Sequence, residues 1–164
     1  MVLKTMKIGV ISDTHVSGID QLSSKLVERL YEMDIVVHLG DYTGRGLLEG
    51  LREIGAFTGV YGNMDPPSVA GQLPEKDIMV VKGKKLGLIH GWGAPEGLRG
   101  RINDCFQGVD AILYGHTHKP ENEVIGGRLF FNPGSATGMF PAQSRSFGIL
   151  DVGDSIRGEI VVIE

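Results

Sequence analysis

One cysteine, Cys105, in 164 residues leaves no intramolecular disulfide to form and excludes any multi-cysteine zinc site. A lone thiol fits a reducing compartment. No apolar run nears the ~18 residues that a membrane-crossing helix needs. The first one, Ile8–Ile11, stops at Ser12-Asp13, too short for a signal-peptide core. A soluble, cytoplasmic protein with no membrane partner is therefore expected. Basic residues number 16 against 20 acidic ones, and the net charge of −4 argues against a surface that tracks a long nucleic acid. The densest basic cluster, Lys82, Lys84 and Lys85, reads as a solvated hairpin tip. No Gly-x-Gly-x-x-Gly follows the first apolar run and no Gly-Lys-Ser/Thr loop occurs, so dinucleotide binding and P-loop chemistry are poor readings. Repeats, low-complexity tracts and linker-like shifts in composition are missing as well, and a single domain over residues 1–164 is expected.

Glycine, in contrast, is plentiful: 25 residues, roughly twice ordinary usage. Tight turns, or backbone that must approach something closely, would use them. Short apolar runs predict strands at Lys7–Ser12, Ile35–Leu39, Phe57–Tyr61, Ile78–Val81, Lys84–Ile89, Ala111–Tyr114, Val124–Ile125, Arg128–Asn132, Phe147–Val152 and Glu159–Ile163. Leu22, Leu26, Val27 and Leu30 predict an amphipathic helix over Asp20–Met33, and a second is expected around Leu47–Ile54. Pro95 with Leu98, Ile102 and Phe106 predicts a third. Alternating strands and helices followed by hairpins indicate an α/β layered fold with a mixed sheet or two sheets.

The functional signal lies at the carboxyl ends of the strands, where open α/β sheets bind ligands. Asp13 and His15 follow the first predicted strand, Asp41 the second and Asn63 the third. His90 follows Leu86–Ile89, and His116 and His118 follow Ala111–Tyr114. Five strands thus deliver carboxylates, one amide and imidazoles to one rim, and four of the five histidines lie in this set. Nitrogen and oxygen donors of this kind suit Mn²⁺, Fe²⁺, Zn²⁺ or Ni²⁺. Seven candidates exceed the roughly four ligands of a structural zinc site. A carboxylate-bridged pair of ions would use them all.

The series Asp13-Thr14-His15, Gly40-Asp41, Gly62-Asn63, His90-Gly91 and Gly115-His116-Thr117-His118 resembles the calcineurin-like metallophosphoesterase superfamily, and within it the small bacterial and archaeal phosphodiesterase branch. Asn132-Pro133-Gly134-Ser135 resembles a further element of that branch. The resemblance implies a four-layer α/β/β/α sandwich with two mixed sheets and a dinuclear centre at one edge. It also implies one metal on Asp13, His15, Asp41 and His118, and a second on Asp41, Asn63, His90 and His116. Asn63 and His116 are in addition assigned a catalytic part. Two divalent ions are implied as cofactors, with Mn²⁺ expected first. The implied activity is hydrolysis of a small phosphate diester by a metal-bridging hydroxide. A phosphomonoesterase with the same site is the close alternative. A homo-oligomer is compatible with everything above.

One position departs from the family pattern. Many members carry a histidine directly after the motif asparagine, where it assists the leaving group; this chain has Met64. The departure keeps open a non-catalytic scaffold, because the superfamily includes a retromer subunit with an eroded site that serves protein contacts. A single-zinc stabiliser is disfavoured by the number of ligands. Asp65 reads first as a helix-capping or turn residue before Pro66-Pro67 and secondly as a group that orients its neighbours. His38, inside a predicted strand, reads as a hydrogen-bonded core histidine or one that supports the ligands rather than as a ligand itself. Trp92 reads equally as a pocket wall or as packing beside a glycine turn, and Cys105 as packing. Arg145 reads equally as a phosphate contact or as a solvated loop arginine.

Overall fold

The computed structural model describes residues 3–164. In chain order it comprises β1 (Met6–Ile11), a 3₁₀ turn (Ile19–Gln21), α1 (Ser24–Tyr31), β2 (Ile35–His38), α2 (Arg45–Ile54), β3 (Phe57–Gly59) and α3 (Pro67–Ala70). There follow β4 (Lys76–Val81), β5 (Lys84–Ile89), α4 (Leu98–Asn103), β6 (Ala111–Tyr114), β7 (Glu121–Ile125), β8 (Arg128–Asn132), β9 (Ser146–Val152) and β10 (Ile156–Val162). Two mixed five-stranded sheets result, ordered β10-β9-β1-β2-β3 and β4-β5-β6-β8-β7. In the first, β1, β2 and β3 run parallel and β9 runs against both its neighbours. In the second, β5, β6 and β8 run parallel, with antiparallel β4 and β7 at the edges.

Strand side chains alternate in direction, and the alternation builds three cores. Ile8, Val10, Val37 and Leu39 of the first sheet meet Leu86, Leu88, Leu113 and Phe131 of the second between the sheets. The opposite face of the first sheet, with Ile11, Val36, Phe147 and Ile149, packs on Leu26 and Leu30 of α1 and Leu47, Leu48 and Leu51 of α2. The opposite face of the second, with Ile89, Ile112, Tyr114 and Phe130, packs on Leu98 and Ile102 of α4. The layers are therefore helix, sheet, sheet, helix, as the resemblance implies. No helix among the described residues is long and apolar enough to cross a membrane.

Three local expectations are corrected. The helix expected over Asp20–Met33 is broken into the 3₁₀ turn and α1, because Leu22 is extended and the Gln21 side chain turns back to accept from the Ser17 and Gly18 N–H groups. Leu22, Leu26 and Leu30 still face one core, so their spacing is the same whether or not the helix is continuous. The third helix begins at Leu98 after a left-handed Gly97 and ends at Asn103; Phe106 packs on it from the following turn. No element is expected between the strands Phe57–Tyr61 and Ile78–Val81, yet a helical turn, α3, sits there, started by Pro66-Pro67.

Candidate metal centre

Both sheets present the carboxyl ends of their parallel strands to the same edge. The β1–β2 ladder continues past the strands, with Asp13 N–H donating to Gly40 O and His15 N–H to Asp41 O, each at 3.0 Å. That continuation sets Asp13, His15 and Asp41 side by side. In the second sheet Gly115 N–H donates to His90 O, which sets His116 beside His90. The sheets are tied together across the site: His90 Nδ1–H donates to Leu39 O at 2.7 Å and His116 N–H to Asp13 Oδ2 at 3.1 Å.

The backbone at this edge is strained. Seven described non-glycine residues have positive φ, and five of them are Asp13, His15, Asp41, His116 and His118. Such conformations cost of order 1–3 kcal/mol each and persist where surrounding structure enforces them. Space is equally tight. A Cβ on Gly40, whose φ is +108°, would lie 2.6 Å from His90 Nδ1, and one on Gly62 would lie 2.6 Å from Asp41 N. Only glycine lets these two loops touch.

Each carboxylate is held by one oxygen and presents the other. Asp13 Oδ2 accepts from Ser12 Oγ–H and His116 N–H, while Oδ1 is buried without a hydrogen-bond partner. Asp41 Oδ1 accepts from Met64 N–H at 2.8 Å, while Oδ2 lies 3.4 Å from His90 Nε2 and 3.6 Å from His15 Nε2. The imidazoles follow the same rule. A carbonyl can only accept, so His90 Nδ1, His118 Nδ1 and His116 Nε2 carry the protons given to Leu39 O, Met139 O and Gly93 O. The other nitrogen of each ring is left for a second partner; in metal sites such a fixed tautomer is what aims the lone pair.

His90 Nε2 is buried without a hydrogen-bond partner, 3.7 Å from Asp13 Oδ1. His118 Nε2 is 3.3 Å from the same oxygen and 3.4 Å from His15 Nε2. Lone pairs of neutral imidazoles and carboxylates repel at such distances unless a cation or a proton intervenes. The titration behaviour expresses this. Burial disfavours the His90 cation, but the Asp41 and Asp13 carboxylates outweigh it and raise its pKa. His118 is raised chiefly by its contact with Asp13. Burial works to raise Asp41, yet the hydrogen bond and charge of His90 and the Met64 N–H bring it down. A divalent cation would meet the same demand, and the nitrogen and oxygen donors fit one.

Asp13, His15, Asp41 and His118 offer ligand atoms within 4.8 Å of one another. These are the four residues expected around the first metal. Of the second set, His90 approaches Asp41, and the His116 ring meets His90 edge-on at 5.4 Å between centroids. Asn63 is exposed, and its neighbours are tied to the Asp41 loop through Gly62 N–H to Asp65 and Met64 N–H to Asp41.

Three supporting groups lie outside both expected ligand sets. Asp65 does not cap a helix; its carboxylate accepts four backbone N–H groups, from Asp41, Tyr42, Thr43 and Gly62. It thereby holds the Asp41 turn and the Asn63 turn together, while its own N–H closes the Asn63 turn on Gly62 O at 3.2 Å, so the turn and orienting readings both hold. The signal in the sequence is thin: an aspartate two residues after the motif asparagine. His38 is the buried core histidine expected. Gly40 N–H donates to its Nδ1, so Nε2–H reaches Thr14 Oγ1 at 2.9 Å, and burial followed by the nearby His90 lowers its pKa and keeps it neutral. Ser135 Oγ–H donates to Asp13 O at 2.8 Å, so the Asn132–Ser135 turn supports the centre rather than only closing a strand. Cys105 is half-buried and donates to Arg101 O.

A family model described as the calcineurin-like phosphoesterase superfamily domain matches residues 6–155. The chain belongs to this superfamily. A probable metallophosphoesterase of Methanocaldococcus jannaschii is 33% identical over 164 residues, covering 98% of this chain and 83% of the relative. Among solved structures, vacuolar protein sorting 29 of Cryptosporidium parvum superposes with a TM-score of 0.83 at 26% identity, covering 99% of this chain and 93% of that one. Wild-type Vps29 of Entamoeba histolytica, complexed with Zn²⁺, gives 0.75 at 28% identity, covering 96% of this chain and 100% of that one. Membership makes a metal-dependent phosphoesterase the functional class to which the edge cluster is referred.

Proposed function

We propose that the protein hydrolyses a small phosphate diester with two divalent ions, one held by Asp13, His15, Asp41 and His118 and the other by Asp41, Asn63, His90 and His116. The observation that carries this reading is the pair of buried, partnerless atoms Asp13 Oδ1 and His90 Nε2 facing each other across the cluster. Bound ions there would neutralise charge on the phosphoryl oxygens and lower the pKa of water from ~15.7 toward ~7. The chain's own residues contribute orientation. The carbonyls of Leu39, Met139 and Gly93 fix three imidazole tautomers, and Asp65 and His38 hold the Asp41 loop. Asn63 and half-buried His116 leave that side open to solvent, where an ester can present its phosphate. Mn²⁺ is the first metal to try on this donor set.

The deciding experiment strips the protein with a chelator, restores Mn²⁺, and compares matched aryl phosphate diester and monoester substrates. Metal-dependent turnover with the diester faster supports the proposal. A faster monoester moves the protein to the phosphatases with the same centre. No turnover with metal binding verified overturns the enzymatic reading and favours the scaffold, to which the similarity with Vps29 also lends weight.

Met64 sharpens the expectation. Its side chain is exposed and its thioether holds no transferable proton. General-acid help is typically worth ~10²–10⁴-fold, so esters with poor leaving groups are expected to turn over slowly and activated aryl esters well. Met64→His should raise the rate on alkyl esters by on the order of 10-fold or more while changing activated esters little. An unchanged ratio between the two substrates would count against this assignment.

A further inference from the structure

Four large apolar side chains on the loops that anchor candidate ligands are open to solvent. Met64 is 58% exposed, Trp92 45%, Met139 42% and Phe140 87%. Short paths join them to three candidate ligands. Met64 N–H donates to Asp41; Trp92 precedes Gly93, whose carbonyl accepts from His116; Met139 O accepts from His118, and Phe140 follows it. These anchors lie on three separate loops, so the apolar groups flank the centre on several sides. Solvent-facing tryptophan and phenylalanine this close to a charged cluster contribute nothing to the three cores.

Trp92 is also braced. Arg101 on α4 donates to the carbonyls of Trp92 at 2.7 Å and Glu96 at 3.0 Å, and also to that of Ala94. Its guanidinium lies 6.0 Å from the indole centroid, over the ring. The loop from Trp92 to Glu96 is thereby strapped to a helix, and the indole stays substantially open on its remaining surface. A braced, open indole is a stacking platform, since every planar aromatic ring offers a face to it.

We infer that this rim is the subsite for the organic part of the ester, and that Trp92 stacks on a planar aromatic ring carried by the phosphate, the nucleobase of a small nucleoside phosphate. The inference rests on the phosphoesterase reading for the place of the phosphate. Trp92 adjoins Gly93, whose carbonyl holds His116, so a group stacked on the indole is joined to a phosphate at the centre by a short linker, which suits a nucleotide better than a long acyl chain. The methionines complete a surface that tolerates different rings, because thioethers make favourable edge contacts with aromatics. The net charge of −4 disfavours a polymeric nucleic acid as the occupant.

Trp92 is the sole tryptophan, so the platform reports on itself. The test titrates zinc-loaded protein, zinc being a weak quencher of indole fluorescence, with adenosine 5′-monophosphate and with ribose 5-phosphate. Excitation at the red edge of the indole band avoids adenine absorption. Only the nucleotide should quench saturably, and calorimetry should show it binding about tenfold more tightly than the sugar phosphate. Trp92→Ala should erase that preference, and Trp92→Phe should keep most of it. Equal affinities on the unmodified protein, no binding of either compound, or a preference that survives Trp92→Ala would overturn the inference. Base preference without hydrolysis of any diester would uphold the subsite and refute the proposed activity. Hydrolysis without base preference would do the reverse.

Discussion

Asp41→Ala is expected to lower turnover of an aryl phosphate diester by at least about a thousandfold. Asp41 is 2% exposed and stands where the two expected ligand sets overlap. Its Oδ2 faces both His90 and His15, so one carboxylate serves imidazoles arriving from both sheets. Several kcal/mol of charge stabilisation at a metal-assisted phosphoryl transfer correspond to roughly three powers of ten, at about 1.36 kcal/mol per tenfold. Metal analysis on the same variant should find fewer than two ions per chain. Full activity, or two tightly held ions, in Asp41→Ala would remove the shared-carboxylate assignment. Substitution at the neighbouring surface residue Glu49, in an exposed pair with Arg45, should change neither readout, because exposed pairs of this kind contribute only ~0.3–0.5 kcal/mol.

Asp65→Asn is expected to destabilise the protein by about 3 kcal/mol and to reduce turnover by about 10–100-fold, although Asp65 is in neither ligand set. Oδ2 accepts the N–H groups of Asp41 and Gly62, and Oδ1 those of Tyr42 and Thr43, at 2.7–2.9 Å. The near-isosteric amide can offer an oxygen to only one of these pairs. Its NH₂ must then face two donors, which leaves partly buried backbone N–H groups unpaired. Thermal melts and kinetics on the same preparation check both effects. A structural loss alone would lower the melting temperature and leave the metal affinity of the folded fraction unchanged. The positioning role requires weaker metal binding and a lower kcat from folded protein. Retention of both would reduce Asp65 to the turn residue that its place before two prolines suggests.

The candidate ligands are legible before folding because they obey a short-range rule. Each follows an apolar run by one to a few residues, and runs of that kind end at one edge when their strands are parallel. The alternation within β1 and β5 likewise marks which residues face the other sheet. Asp65 escapes the rule because its meaning lies in four backbone N–H groups, three of them more than twenty residues away. The break before α1 escapes because Leu22, Leu26 and Leu30 satisfy the helical spacing on either side of it. Trp92 reads equally as wall or packing in the sequence because only the fold sets Arg101, nine residues on, over its ring.

Residue types and their spacing thus settle which donor atoms exist, that they are nitrogen and oxygen rather than sulfur, and at which strand ends they stand. Periodicity and turn chemistry act over a few residues and suffice for that much. Folding alone brings Asp13, His15, Asp41 and His118 within reach of one another and sets which nitrogen of His90, His116 and His118 is spoken for. It also decided which oxygen of each carboxylate is left over. Those outcomes depend on contacts between chain segments up to about a hundred residues apart, such as His116 N–H to Asp13, and come into being only when the two sheets close on each other.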